Sequence, residues 1–272
     1  MGRMLTIATI LLSAGTTVAV ADGGGPSPGV NFGSPGVVDG KGKVRYVALP
    51  GGDGTTVAAL SARAGRVLRW NYVDGVFGLP TVAWDGSSGG LARNNRRLVL
   101  ATPPSYGSGT RFVVLDPRTM RVRARLLLRG AFAFDAISPG GSLMYLIQYL
   151  GDPASGRYAV RALNLNTRKL YAGSIVDRRE PDEKMTGQPA TRVESRDGSW
   201  AYTLYGRTNN GPFVHALDTV HRRAFCVDLP WRSTPSWLGR AKLRVGRGEL
   251  LLRVRGNTLA RVNTKTFEVT RG

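Results

Sequence analysis

Residues 137–146, ISPGGSLMYL, set a polar turn between two apolar runs, and the same arrangement returns four more times along the chain. Pro presets φ and Gly accepts positive φ where a strand must reverse, so each copy predicts a hairpin. The copies are VVDGKGKVRYVAL (37–49), LARNNRRLVLAT (91–102), AISPGGSLMYLI (136–147), VESRDGSWAYTL (193–204) and LRVGRGELLLRV (243–254). Their second strands begin at Val44, Leu98, Leu143, Trp200 and Leu250, in steps of 54, 45, 57 and 50 residues. A second hairpin follows each one, over 57–70, 112–125, 158–171, 213–227 and 258–269. The turns LDPRT, LNLNT and VNTKT within these resemble one another.

Two hairpins per unit make one four-stranded antiparallel sheet, and a sheet recurring at this length is the arithmetic of a β-propeller blade. Five complete units over residues 37–272 predict an all-β chain, a five-bladed β-propeller of four-stranded antiparallel blades. ISPGG and SRDGS resemble the SPDG turn of the YVTN/WD40-like propeller repeat, and VVLDPRTMRV resembles its V-x-D-x-x-T-x-x-V hairpin. The Trp-Asp pair of the WD40 signature is missing from the strand ends, since Trp84-Asp85 falls elsewhere. The resemblance implies the fold, and leaves binding, scaffolding and catalysis all open. Closure of the ring is expected from packing of the first blade on the fifth, with Val30-Asn31-Phe32 adding a strand there.

The N-terminus reads differently. Arg3, the apolar run Met4–Ala14 and the A-x-A pattern Ala19-Val20-Ala21 form a secretory signal peptide over residues 1–21. A flexible lead-in over 22–36 is expected to follow, and a secreted or extracytoplasmic location. Only an uncleaved signal segment would touch a membrane. Cys226 stands alone, so no internal disulfide forms and stability must come from packing. With 36 Gly and 15 Pro the composition suits many short strands.

The formal charge is +20, from 38 basic residues against 18 acidic. Such a field attracts polyanions. The charges are spread along the chain with no long basic block, which argues against specific nucleic-acid recognition and leaves attachment to anionic envelope polymers open.

In a meander the connections between units share one face with the turns joining second to third strands. The long ones, 73–88, 176–189 and 230–240, therefore concentrate where sites usually lie. Counting back eight from each second strand makes Gly36, Gly90, Asp135, Arg192 and Lys242 equivalent, at the start of innermost strands near the channel mouth. Trp84, Asp85 and Ser87 then belong to the long-loop face, with Asp135 and Arg192 beside them. Arg178, Arg179 and Lys184 offer an anion site, since guanidinium forks suit carboxylate or phosphate. Trp231 and Trp237 offer aromatic surface for sugar or peptide, or else fill the space between blades. The expected ligand is a protein, a carbohydrate or another anionic envelope component, bound by a monomer without cofactor. The alternative is a carbohydrate-active hydrolase or lyase using Asp85 and Asp135, because two carboxylates about 5–10 Å apart can flank a glycosidic bond. Glu180, Asp182 and Glu183 are further acids on the same face. His215 and His221 fall on a strand and on an opposite-face turn, which argues against a metal site or a nucleophile–His triad.

Overall fold

A computed structural model describes residues 29–33, 35–151, 156–182, 185–207 and 210–272. The expected signal peptide lies outside the described residues. The chain starts with β1 (Gly29–Asn31), then β2 (Val37–Val38), β3 (Val44–Gly51), β4 (Gly54–Ser61) and β5 (Val67–Asp74), which form the first sheet. After β6 (Leu79–Thr81), the second sheet holds β7 (Leu98–Ala101), β8 (Thr110–Leu115) and β9 (Val122–Leu128). The third holds β10 (Phe132–Ile137), β11 (Leu143–Tyr149), β12 (Tyr158–Asn164) and β13 (Lys169–Leu170). The fourth holds β14 (Gln188–Glu194), β15 (Trp200–Gly206), β16 (Phe213–Asp218) and β17 (Arg223–Asp228). The fifth holds β18 (Ala241–Val245), β19 (Glu249–Val254), β20 (Asn257–Asn263) and β21 (Val269–Arg271). All five are antiparallel meanders whose spatial order follows the chain, and β1 pairs with β6 in a separate two-stranded sheet. The described residues contain no helix long and apolar enough to cross a membrane.

The repeat is visible in the turns. The residue at the end of each third strand, or just after it for Asp116, caps the following turn with its own side chain. Asp116 accepts from Arg118 N (3.0 Å), Asn164 from Asn166 N (2.9 Å), Asp218 from Val220 N (3.1 Å), Asn263 from Lys265 N (2.8 Å) and Ser61 from Ala64 N (3.3 Å). Four residues later the backbone turns left-handed, at Gly65, Met120, Arg168, Arg222 and Phe267, with φ between 56° and 67°. A three- to five-residue hairpin closed by a left-handed residue leaves a bulge, and register shifts follow at Ala59/Leu60 and Val114/Leu115. Short Asx and Ser side chains stabilise such turns because they mimic a backbone acceptor.

Two features depart from the expected blade pattern. The second sheet has three strands, because its inner edge is paired in fragments: Ala101 with Gly78, Val99 N with Gly90 O (2.8 Å), and Leu98 with Leu91. The Gly/Ser-rich run 86–90 lacks the branched side chains that favour a continuous strand. In this sheet the residue that closes the first turn is also Arg97 rather than Leu98. Ala92 N donates to Arg97 O (2.9 Å), as Ser138 N does to Leu143 O (2.9 Å). The innermost equivalent of Asp135 is therefore Gly89, one residue before the position counted from sequence.

The core is a series of four interfaces. Tyr46 and Val57 meet Leu98 and Val113, joining the first and second sheets, and Val99 and Phe112 meet Phe134 and Met144, joining the second and third. Tyr145 and Val160 meet Tyr205 and Phe213 between the third and fourth, and Leu204 and Val214 meet Leu243 and Leu252 between the fourth and fifth. Each large apolar side chain buried this way contributes about 1.5–3 kcal/mol, which makes these interfaces the main source of cohesion in a chain with one cysteine. Among the described residues no core cluster joins the fifth sheet to the first. The expected packing of the first blade on the fifth is therefore not seen among those residues. The expected closing strand lies elsewhere too: Gly29–Asn31 pairs with Leu79–Thr81, whose buried Leu79 and Pro80 give it an apolar seat.

Candidate functional site

The connection between the first and second sheets folds over the inner strands. Leu79, Val82 and Ala83 are buried, Thr81 bridges Ser88, and Asn31 Nδ2 donates to Ser88 Oγ (3.1 Å). Its tip is tied to the start of β14: Trp84 N donates to Pro189 O (2.9 Å) and Asp85 N to Ala190 O (3.2 Å). The Asp85 carboxylate then accepts from Ser87 Oγ (2.6 Å), Ser87 N (3.1 Å), Thr191 Oγ1 (2.7 Å) and Lys242 Nζ (2.8 Å). Burial alone would raise the Asp85 carboxyl, but the bonds from Lys242, Ser87 and Thr191 outweigh it and hold it below its ordinary value. One carboxylate thus fastens this loop to both the fourth and the fifth sheet. The Trp84 indole stays in solvent, 48% exposed, on a backbone anchored at both neighbours.

Asp135 and Arg192 form a second junction. Arg192 donates from one nitrogen to the Asp135 carboxylate, from another to the Asp135 carbonyl, and from Nε to Thr203 Oγ1 (2.7 Å). Both side chains are buried, 3% and 4% exposed, and the pair bridges the third and fourth sheets. Thr191 and Arg192 are consecutive residues of a strand and face opposite sides of their sheet. Asp85, held by Thr191, and Asp135, held by Arg192, therefore approach β14 from its two opposite faces. Each carboxylate is engaged by cations and hydroxyls that join sheets, Asp85 by Lys242 and Thr191 and Asp135 by Arg192.

The other candidates lie apart. Asp177 bridges Ala224 on β17, the outermost strand of the fourth sheet, and accepts from Cys226 N (2.8 Å) and Arg179 NH2 (2.6 Å). Arg179 also lies over Phe225, 5.2 Å from its ring centre, which commits this cation to the rim. Trp84 sits at the innermost strand of the same sheet, so about 14 Å of sheet width separates it from Arg178 and Arg179. Lys184, like Glu183, lies outside the described residues. Trp231 and Trp237 meet edge to face at 5.0 Å and pack on the core between the fourth and fifth sheets. Of their two sequence-level roles, the structure supports filling that interface. His215 is buried on β16 beside Tyr205, and His221 Nδ1 lies 2.9 Å from Asp218 Oδ2.

One site had no motif to announce it. A cavity of about 330 Å³ lies among Val38, Gly40, Ser87, Arg93, Arg192 and Glu194, contributed by the first sheet, the connecting loop and β14. Glu194 is reached by water yet ringed by protein. That crowding pushes its carboxyl up from the ordinary value, while Arg192 and Arg93 pull against the shift. Glu194 ends its strand three residues before the DG turn, a position that sequence alone gives no reason to single out.

No protein-family model and no curated protein matches the chain. Among solved structures, the chain is similar to the β-propeller domain of Cps50 (Swd1) from Myceliophteria thermophila, at 13% identity and a TM-score of 0.48, over 85% of this chain and 63% of that one. TolB from Acinetobacter baumannii gives 12% and 0.44 over 85% and 52%, and BamB from Moraxella catarrhalis 17% and 0.42 over 82% and 62%. The chain spans about half to two thirds of the length of these structures. Similarity of this depth carries no inference about what the chain does.

Proposed function

We propose that this chain is an exported, five-bladed β-propeller of the YVTN/WD40-like kind, a monomeric binding or scaffolding module that engages a protein or anionic envelope ligand through its long-loop face. The observation that carries this reading is Trp84. An indole left half in solvent, on a loop whose backbone and neighbouring carboxylate are fastened to two sheets, is the kind of rigid aromatic anchor that dominates binding surfaces. Little backbone entropy is lost when a partner covers a residue whose main chain is already held in place. The carboxylates that would serve a hydrolase are instead engaged in joining sheets.

The test is a pull-down from envelope extract with the purified protein and its Trp84→Ala variant, each at two salt concentrations. Trp84→Ala is expected to lose the bound partner at both salts while its thermal unfolding is unchanged. A partner that Trp84→Ala retains, but that modest salt removes, would replace this reading with passive attachment through net charge.

A further inference from the structure

Among the described residues, no core cluster covers the outward faces of the first and fifth sheets, and the two faces differ in chemistry. On the first sheet, Tyr46, Ala48 and Val57 face the second sheet, so the alternate residues point the other way. Ladder partners place Leu49 and Tyr72 on opposite sides of Thr56 in one row, and Trp70 beside Ala58 in the next. Trp70 is 63% exposed, Val67 55%, Leu49 47% and Tyr72 43%. Tyr72 is steadied by donating its hydroxyl to Asp53 (2.6 Å). Scattered exposed apolar residues need no explanation, but a contiguous aromatic and aliphatic face on one sheet marks an interaction surface.

The free face of the fifth sheet is basic. Its ladders align Arg244, Leu251 and Arg261 in one row, with Arg253 in the next, while Lys242 is taken up by Asp85. Glu249, bonded to Arg261 at 3.1 Å, is the acid that shares this face. A second copy is a poor occupant, because copies of formal charge +20 repel and each brings another basic face. A partner that meets the apolar face and also reaches the basic one carries apolar side chains on one side and carboxylates on the other.

We propose that these two faces accept an acidic, amphipathic β-segment of a partner protein, its apolar side on the Leu49–Trp70–Tyr72 face and its acidic side toward Arg244 and Arg261. Alternation of apolar and acidic residues along an extended strand presents those two sides by its twofold period. Leu49, Trp70, Tyr72, Arg244 and Arg261 are not the residues that hold the Trp84 loop, so either site stands without the other.

The test uses the whole protein and a fluorescently labelled synthetic hairpin in which Leu alternates with Glu. Two control hairpins carry Lys in place of Glu, and Ser in place of Leu. Binding is read by anisotropy, and self-association by sedimentation without peptide. The Leu/Glu hairpin is expected to bind, with affinity falling about tenfold or more in Trp70→Ala and in the double variant Arg244→Glu/Arg261→Glu, as truncation of an interface anchor does. Trp84→Ala is expected to bind it as the parent does. Circular dichroism confirms that these surface variants fold. Equal binding of either control hairpin, unchanged affinity in both variants, or loss of binding in Trp84→Ala overturns the proposal. So does a concentration-dependent dimer that Trp70→Ala abolishes, which would assign the apolar face to a second copy.

Discussion

Asp135 and Arg192 show how a single residue pair sets the relation between two sheets. Both side chains are buried, so removing one partner leaves the other buried without its counter-charge. Asp135→Ala is therefore expected to cost about 3–5 kcal/mol, read by chemical denaturation, because the Arg192 guanidinium keeps its charge. Asp135→Ala/Arg192→Met is expected to be less destabilised than Asp135→Ala alone, since no buried charge remains. If the double variant loses as much as the two single losses combined, the two residues act independently and their pairing contributes nothing. The sequence register made these residues equivalent on innermost strands, which was legible, but they lie within β10 (Phe132–Ile137) and β14 (Gln188–Glu194) rather than at the expected starts. Their contact was not legible, because it depends on the distance between two sheets 57 residues apart in the chain.

At the scale of the element, each unit is closed by a capped turn and a left-handed residue. Met120, Arg168, Arg222 and Phe267 occupy a conformation that costs an L-residue about 1–2 kcal/mol, whereas the first unit places Gly65 there. Arg168 is exposed, and its bond to Arg123 O, at 3.5 Å, is at the edge of significance. Arg168→Gly is expected to leave the fold intact and raise stability by up to about 1 kcal/mol, seen as a higher midpoint of thermal unfolding. A lower midpoint would mean that the added freedom of the unfolded chain outweighs the relieved strain. Turn chemistry is local, so the hairpins could be read from LDPRT, LNLNT and VNTKT. The three-stranded second sheet could not, because a Gly/Ser run is compatible with a loop, a bulge or a weak strand until its neighbours are known.

Across the whole molecule, carboxylates act as fasteners. Burial alone would raise Asp116, Asp177, Asp218 and Asp85, but it is outweighed by hydrogen bonds: from Arg123 and Arg118 to Asp116, from Arg179 to Asp177, from Arg223 and His221 to Asp218, and from Lys242, Ser87 and Thr191 to Asp85. All four are held below the ordinary value of 3.8. A depressed carboxyl binds protons more weakly in the folded than in the unfolded chain. Its contribution is complete above the unfolded value and is lost as pH falls toward the folded one. The thermal midpoint is therefore expected to stay level from neutral pH down to about pH 5 and to drop below about pH 4. Glu194 acts in the opposite sense, since its raised carboxyl makes protonation favour the folded state, but it stands against four. A midpoint that is flat through pH 3 would show that these bonds do not outlast burial.

The linear chain determined what short-range physics can encode: the strands, the turns that join them, the five-fold recurrence and the loops long enough to carry a site. Alternating apolar residues and turn-forming side chains act within a few positions, so their pattern survives in sequence. Only the tertiary structure decided which faces meet. It seated the Trp84 loop across the inner strands, set Asp85 and Asp135 on opposite sides of β14, and put no core cluster between the first and fifth sheets among the described residues. Those outcomes depend on how sheets distant in sequence match in shape and charge. An aromatic face on one sheet and an arginine face on another look like ordinary alternating strands until the two are found outside the core clusters.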